Sequence, residues 1–147
     1  MSTQKEIIEC YCNNIRRTSR IVTHFYEHIM HPTILKATQY TLLYVLKEYG
    51  PMTINNLSDL TKLDRTTLVR NLKIIVSKGW AITEKDVSKA HIIQLSEKGY
   101  DIWNKAYPYW EQAQQRINEI LTDDELKYLN SILLKLENSI DNSFEDV

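Results

Sequence analysis

Glycine and proline are scarce in this sequence, which has three of each among 147 residues. The glycines do not cluster, so the chain lacks the glycine-rich loop that cradles a nucleotide phosphate. It also lacks GxSxG and HExxH motifs, and no cysteine and histidine are paired with a third orienting group. We therefore expect neither an enzyme nor a bound cofactor.

Cysteine is almost absent, with only Cys10 and Cys12. There is no CxxC pair, which excludes the usual zinc-finger and thioredoxin-like patterns. On one helix these two thiols would point about 200° apart and could not form a disulfide within it. They are therefore either inert thiols or redox-active thiols at a subunit boundary, where Arg16 and Arg17 lie close enough to favour a thiolate.

Long apolar runs are missing as well. No stretch approaches the roughly 20 apolar residues that cross a bilayer, and the first ten residues, MSTQKEIIEC, contain neither a charged leader nor an apolar signal core. We expect a cytoplasmic protein with no membrane partner. The 43% of apolar residues predicts one globular domain over 1–147, with a modest core that a partner chain would enlarge.

Charge is distributed unevenly although the net charge is only −1. Residues 62–98 contain eight Lys and Arg against four Asp and Glu, whereas residues 121–147 contain two against seven. An anionic partner would therefore meet the basic middle of the chain rather than its acidic tail.

Apolar periodicity predicts a mainly helical chain. One helix is expected from about Lys5 to Met30 and a second over 38–49, the latter with Tyr40, Leu43, Tyr44 and Leu46 toward the core. Thr53 is expected to cap a short helix, and after a tight turn Asp64 is expected to cap a longer one that ends at Gly79. This order predicts a helix-turn-helix.

After Gly79 the period changes to two, which predicts a β-hairpin from Trp80 to Leu95 with a polar tip at 85–89. Ser96 is expected to cap a long helix to about Leu121, bent at Pro108. A capping box between Thr122 and Glu125 is expected to open the last helix. The predicted fold class is therefore mainly α with a small β-hairpin wing, a winged helix-turn-helix.

The helix over 64–78 has two contrasting faces. Leu68, Leu72, Ile75 and Val76 form the apolar arc, and the opposite arc combines small hydroxyls with long cations. A helix that enters a DNA major groove needs this mixture, because cations pair with phosphates or guanine while hydroxyls approach base edges. With the basic wing, the candidate DNA-binding residues are Arg65, Thr66, Thr67, Arg70, Lys73, Ser77, Lys85 and Lys89.

Four sequence blocks in this order resemble the MarR family, the multiple-antibiotic-resistance-type winged-helix regulators. The blocks are NNIRRTSR at 13–20, TQYTLL at 38–43, LDRTTLVRNL at 63–72 and LSEKG at 95–99. The resemblance covers nearly the whole chain.

The resemblance implies a homodimer joined through 1–36 and 99–147, with 37–98 as the DNA-binding part. It implies binding of double-stranded DNA at a near-palindromic operator, and repression that a small ligand or oxidation releases. Thr66, Thr67 and Arg70 match the family's contact positions in the recognition helix. Lys89 stands at or next to the position of the family's wing arginine, and lysine lacks the planar fork of arginine.

An aromatic stripe recurs at helical spacing in the long fifth helix, at Tyr100, Trp103, Tyr107 and Trp110. Such a stripe is typical of a core or a dimer seam, but flat aromatic walls also suit a small aromatic effector. The candidate ligand-binding residues are Tyr11, Phe25, Tyr26, Trp103, Tyr107 and Trp110.

Three histidines, His24, His28 and His31, share one side of the first helix if that helix persists. Imidazoles spaced four residues apart can bind a metal ion, but a polar patch near a subunit seam explains the same spacing, so no metal site is assigned.

Two other functions fit a basic winged helix. It could be a protein-interaction module without specific DNA binding, or a carrier of aromatic ligands that ignores DNA. Salt separates the first from a DNA-binding protein, because affinity for DNA falls steeply with salt and an apolar protein contact scarcely responds.

Overall fold

The computed structural model describes residues 10–145, and side-chain exposure is described for residues 10–141. The chain divides into two compact units between Trp110 and Glu111. The first unit contains the helix-turn-helix and a three-stranded sheet. The second contains the end of one long helix and the last helix.

The first described helix, α1, spans Tyr11–Met30 and is followed by a 3-10 turn at His31–Thr33. Cys10 is its N-cap, with an extended backbone and a thiol Sγ that accepts the Asn13 N–H at 3.4 Å. The prediction of one continuous helix from about Lys5 is therefore wrong at Cys10, and residues 1–9 lie outside the described part. Since Cys10 is outside α1, the helical angle between the two thiols does not apply.

Helix α2 spans Ala37–Tyr49 and begins at a contact with α1. Glu27 Oε1 accepts the Ala37 N–H at 3.1 Å, so a carboxylate of α1 satisfies one of the free N–H groups at the start of α2. The helix ends at Gly50, whose φ of +79° is the region that glycine enters without a steric penalty. As expected, Tyr40, Leu43 and Leu46 are buried, but Tyr44 is 43% exposed.

The helix-turn-helix consists of α3, Ile54–Thr61, and α4, Arg65–Ser77. Thr53 caps α3 as predicted, and its Oγ1 accepts the Asn56 N–H at 3.2 Å. The apolar side chains between the two helices are fully or nearly fully buried; they are Leu57, Leu68, Leu72 and Ile75. They belong to one hydrophobic core with Leu43, Leu46 and Trp80.

Three antiparallel strands form the sheet in the order β1-β3-β2. Strands β2, Ala81–Lys85, and β3, His91–Leu95, are the predicted hairpin. Strand β1, Met52–Thr53, pairs with β3 and was not predicted, because two residues are too few to show alternation. The mainly helical fold with a β-hairpin wing is confirmed.

A close junction joins the end of α4, the sheet and the next helix, α5, which spans Glu97–Ile120. Ser96 Oγ donates to the Gly79 carbonyl at 2.5 Å and accepts the Gly99 N–H at 3.0 Å. The Ser96 N–H donates to the Trp80 carbonyl at 3.0 Å. A β-carbon on Gly99 would overlap the Trp80 carbonyl oxygen and the side chain of Leu95. Only glycine permits this approach.

The second unit begins within α5 and continues with α6, Asp123–Glu145. The predicted capping box is present, since Thr122 Oγ1 accepts the Glu125 N–H at 3.2 Å and Glu125 Oε2 accepts the Thr122 N–H at 2.9 Å. Pro108 lies inside α5 without ending it. Among the described helices, none combines the length and apolar character required to cross a membrane.

We predict that Gly99→Ala destabilises the protein by about 1–3 kcal/mol, because the added methyl group has no space beside the Trp80 carbonyl. Urea unfolding followed by circular dichroism measures the change. Lys98→Ala is the matched control on the exposed side of the same helical turn, and it should stay within about 0.5 kcal/mol of the wild type. Equal stability of Gly99→Ala and Lys98→Ala would contradict the close packing.

Candidate nucleic-acid interface

The N-cap of helix α4 is Asp64, whose side chain accepts two hydrogen bonds from Thr67. Asp64 Oδ1 accepts the Thr67 N–H at 2.8 Å, and Asp64 Oδ2 accepts the Thr67 hydroxyl at 2.7 Å. These hydrogen bonds from Thr67, assisted by the charge of Arg70, lower the pKa of the Asp64 carboxyl. Both oxygens of the carboxylate are thus hydrogen-bonded at the start of the helix. This fixes the first turn of α4 and with it the orientation of its outer face.

The outer face of α4 is polar, basic and exposed at Thr66, Arg70 and Lys73. A shallow groove of about 610 Å³ runs along it, lined by Arg65, Thr66, Val69, Arg70, Lys73 and Ile74. Three cations line this groove and no carboxylate does. Such a surface attracts an anion and leaves short hydroxyls free to approach it closely.

Two of the candidate hydroxyls have partners within the helix. The Thr67 hydroxyl donates to Asp64, and the Ser77 hydroxyl donates to the Ile74 carbonyl at 2.8 Å. Each oxygen can still accept a hydrogen bond from a ligand. DNA contact by Thr67 and Ser77 stays a prediction, and Thr67 is the one half-buried member of the candidate set.

The hairpin tip is organised by Asp86. Asp86 Oδ1 accepts the Ser88 hydroxyl at 2.6 Å and the Ala90 N–H at 3.0 Å, and these bonds, the Ser88 hydroxyl first, lower the pKa of the Asp86 carboxyl. Lys89 has a φ of +64°, the left-handed conformation. Lys85 and Lys89 are both exposed, so the hairpin carries its two cations toward solvent.

A smaller notch of about 220 Å³ lies between the helix-turn-helix and the base of the hairpin, and is lined by Thr53, Ile54, Asn55, Arg65, Ala90 and His91. Arg65 Nη1 lies 3.5 Å from Asn55 Oδ1, at the long limit of a hydrogen bond. Arg65 was a predicted site residue, whereas Asn55 and His91 were not. The pairing of β1 with β3 was the missing signal, since it brings these residues together.

A second concave site of about 600 Å³ lies between α2 and α5. Its lining consists of Tyr40, Thr41, Tyr44, Lys47, Glu48, Trp103, Tyr107 and Trp110. The Tyr40 ring lies nearly parallel to those of Trp103 and Trp110, at 19° and 17° and with centroids 5.9 and 6.0 Å apart. Burial, followed by the neighbouring Tyr107 and Tyr44, raises the pKa of the Tyr40 hydroxyl, which therefore stays a neutral donor.

Trp103 is the centre of this aromatic site. It is 7% exposed, and its indole Nε1 is buried without a hydrogen-bond partner among the described residues. The Lys47 Nζ lies 4.5 Å from the centroid of its ring, a cation–π contact. A buried N–H without an acceptor is costly, so an acceptor that reached this nitrogen after a shift of the ring would be favoured.

Three of the candidate ligand residues, Trp103, Tyr107 and Trp110, therefore lie together. The side chains that face them are Tyr40 and Tyr44 of α2, not Tyr11 and Phe25 of α1. Tyr11 is 82% exposed, and Phe25 packs edge-on against Tyr26. Tyr26 lines an adjoining recess of about 240 Å³ that also touches Tyr40 and Trp110.

The cysteines and histidines show no assembled metal site. Cys10 and Cys12 are both exposed free thiols. Within the part of the chain that the structure describes, no group of three or more His, Cys, Asp or Glu side chains is arranged to hold a metal ion. His24 and His28 lie on α1, while His31 begins the 3-10 turn.

Comparison with solved structures identifies the fold. The M. tuberculosis transcriptional regulator MosR in complex with DNA has a TM-score of 0.82, covering 91% of this chain and 98% of its own at 24% identity. CouR, a transcriptional repressor bound to a 23-mer DNA duplex, has a TM-score of 0.81, with 90% and 95% covered at 21% identity. The chain has the MarR-type winged helix-turn-helix fold. No protein-family model matches the sequence, and no relative is found among curated proteins.

MarR itself shares the MarR-type fold. A mutant of MarR from E. coli complexed with operator DNA has a TM-score of 0.76, covering 83% of this chain and 89% of its own at 22% identity. The resemblance read from the sequence blocks is thus confirmed at the level of the fold.

We predict that the Asp64 cap makes stability depend on pH. Because the folded-state pKa of Asp64 is lowered, its charged cap stabilises the native state above the ordinary aspartate range, and this is lost as pH falls through the lowered pKa. The wild type should melt at a higher temperature than Asp64→Asn at neutral pH, and the gap should close in acid. Thermal unfolding across a pH series measures it.

The control for that series is Asp101→Asn, which changes an exposed carboxylate inside α5 rather than one at a cap. Its melting temperature should follow that of the wild type at every pH. A gap between the wild type and Asp64→Asn that does not change with pH would contradict the role of the charge.

Proposed function

We propose that the protein is a sequence-specific DNA-binding transcriptional regulator rather than an enzyme. One observation carries this proposal: the outer face of α4 exposes Thr66, Arg70 and Lys73 along a groove that no carboxylate lines. The groove lies on the second helix of a helix-turn-helix, the element that enters a major groove in this architecture. Binding of chromosomal DNA would place its work in the cytoplasm.

Three solved structures of the same fold support the proposal, since those of MosR, CouR and a mutant of MarR each contain bound DNA. In the proposed complex α4 lies in the major groove, and Arg70 and Thr66 approach base edges. Lys85 and Lys89 lie along the neighbouring minor groove. Lysine acts there as a point charge, so the wing contributes attraction to the backbone more than base recognition.

We predict that Arg70→Ala lowers affinity for the preferred duplex by about 1–3 kcal/mol and affects random DNA much less. Lys89→Ala should weaken binding to both duplexes by the same factor, because a phosphate contact carries no sequence information. Fluorescence anisotropy measures both, with the preferred duplex first selected from a random library. Lys105→Ala, an exposed cation on α5, is the control. Equal losses on both duplexes for Arg70→Ala would refute its reading role.

A protein-interaction module remains the alternative function of the same surface. Its affinity for a protein partner would change little with salt, whereas affinity for DNA should fall with a slope near −0.9 per neutralised phosphate. The basic groove on α4 favours DNA.

We infer that the regulator is a homodimer. On α6 the apolar side chains of Leu129, Leu133 and Leu136 are 42%, 41% and 38% exposed and recur at a spacing of four and three. On α1, Tyr11, Ile15 and Val22 are also exposed at helical spacing. Helical stripes of this kind are typical of chain association, and a second copy of the chain can cover both.

We predict that Leu133→Lys converts the dimer to a monomer, because the lysine ammonium would lose its hydration when buried in the subunit interface. Sedimentation equilibrium at micromolar concentration measures the mass. Asn138→Lys is the matched control, since Asn138 lies about 180° around the α6 axis from the stripe of leucines. A monomeric wild type at every concentration would contradict the dimer.

Dimerisation bears directly on DNA binding. Two copies of α4 can reach successive major grooves about 34 Å apart, which matches a near-palindromic operator. The resemblance to MarR-type regulators favours repression.

A small aromatic effector is the proposed signal that releases the repressor. The site between α2 and α5 offers nearly parallel aromatic rings and a neutral tyrosine hydroxyl at Tyr40. Lys47 covers the Trp103 ring, so a ligand stacking there would displace its ammonium and could pair with it. These features favour a flat aromatic anion.

We predict that benzoate weakens DNA binding by the wild type more than benzamide does, because only the anion pairs with Lys47. Lys47→Met should remove the preference for benzoate, and Lys105→Met should retain it. Quenching of tryptophan fluorescence reports binding, and anisotropy of labelled DNA reports release. A wild type that responds to neither compound would contradict an aromatic effector of this class.

Thiol oxidation is the second proposed route to release, since Cys10 and Cys12 are both exposed. The same anisotropy assay separates the two routes. Peroxide should release DNA from the wild type but not from a variant with Cys10→Ser and Cys12→Ser, and benzoate should act on both proteins.

A further inference from the structure

We propose that the notch lined by Asn55, Arg65 and His91 is a seat for one phosphate of the DNA backbone. Arg65 and His91 are its donors, and Asn55 is the residue that positions Arg65. The proposal rests on the proposed DNA-binding function and adds a contact site to it, with two residues that the sequence did not indicate.

Strand pairing builds the notch. Thr53 pairs with Ile92, so the start of α3 lies beside the first residues of β3. Arg65, the first residue of α4, extends back to Asn55, where its Nη1 lies 3.5 Å from Asn55 Oδ1. Ala90 and His91 close the other side. Four separate elements, β1, α3, α4 and β3, thus contribute to one recess of about 220 Å³.

The chemistry of the lining suits an anion. Arg65 presents a guanidinium, whose planar fork matches phosphate oxygens, and His91 presents an imidazole N–H donor. Lys85 pairs with His91 across the hairpin and adds a second cation next to the notch. No Asp or Glu is among the lining residues. Asn55 can hold one edge of the guanidinium and leave another edge free for the ligand.

The position of the notch identifies the anion as a backbone phosphate. If α4 lies in the major groove and the hairpin lies along the neighbouring minor groove, the DNA backbone that separates these grooves must pass between α4 and the hairpin. The notch lies at that place, because Arg65 comes from α4 and His91 from the hairpin. A phosphate seat there would fix the register of both elements on the duplex.

The test is a double-mutant cycle in the anisotropy assay with the preferred and random duplexes. Arg65→Ala and His91→Ala should each weaken binding about fivefold on both duplexes, in the range of charge-assisted hydrogen bonds. The double variant should lose less than the product of the two factors, since both donors serve one phosphate. For the double variant, the slope of log affinity against log salt concentration should decrease by the equivalent of about one phosphate contact rather than two.

Asn55→Ala tests the positioning role. In the otherwise wild-type protein, Asn55→Ala should lower the affinity for DNA. In a protein that already carries Arg65→Ala it should cause no further loss, a dependence that a merely structural role of Asn55 would not produce. Arg65→Lys should stay weak, because lysine keeps the charge and loses the fork. Lys105→Ala is the control for the loss of a cation far from the notch. Circular dichroism checks that each variant is folded.

A scan of duplexes with single methylphosphonates completes the experiment. At one position in each half-site the neutral linkage should weaken the wild type and leave Arg65→Ala unchanged. Independent, multiplicative losses in the cycle, or no loss for His91→Ala, would overturn the phosphate seat while the DNA-binding function stands. A wild type that binds no duplex would overturn the DNA-binding function, and the seat with it.

Discussion

The backbone junction around Ser96 is the constraint on which the arrangement of the helix-turn-helix and its hairpin depends. One hydroxyl joins the carbonyl that ends the α4 segment to the N–H of Gly99 at the start of α5, and the Ser96 N–H joins the Trp80 carbonyl beside β2. Since the missing side chain of Gly99 allows this approach, α4, the hairpin and α5 meet within a few residues. A shift of α5 along its axis would therefore strain the end of α4 directly.

That junction would give the proposed regulation a physical basis. The aromatic site uses Trp103 and Tyr107, which lie about one and two helical turns along α5 from Gly99. Its other wall is α2, whose apolar side packs in the same core as Leu68 and Leu72 of α4. A ligand that separates α2 from α5 would perturb both elements that support α4. Coupling between ligand binding at the aromatic site and DNA binding is thus expected to change the orientation of α4 and to leave the side chains on its outer face unchanged.

Much of the fold could be predicted because its signals are local. Thr53, Asp64, Ser96 and Thr122 act as caps in the structure as their sequence contexts indicated. Strand β1, the start of α1 at Tyr11 and the exposed Tyr44 could not be predicted, because each depends on contacts between distant segments or on a thiol cap. The same limit applies to the site: the α4 face follows from helical periodicity, whereas the notch of Asn55 and His91 requires knowledge of strand pairing.

The most direct test of the central claim is the affinity of the wild-type protein for its selected duplex and for a scrambled duplex of equal length, measured by fluorescence anisotropy over a salt series. A regulator that reads sequence through α4 should bind the selected duplex at least about 1,000-fold more tightly, and both affinities should fall steeply with salt. Equal affinity for the two duplexes, or none at low salt, would contradict the account.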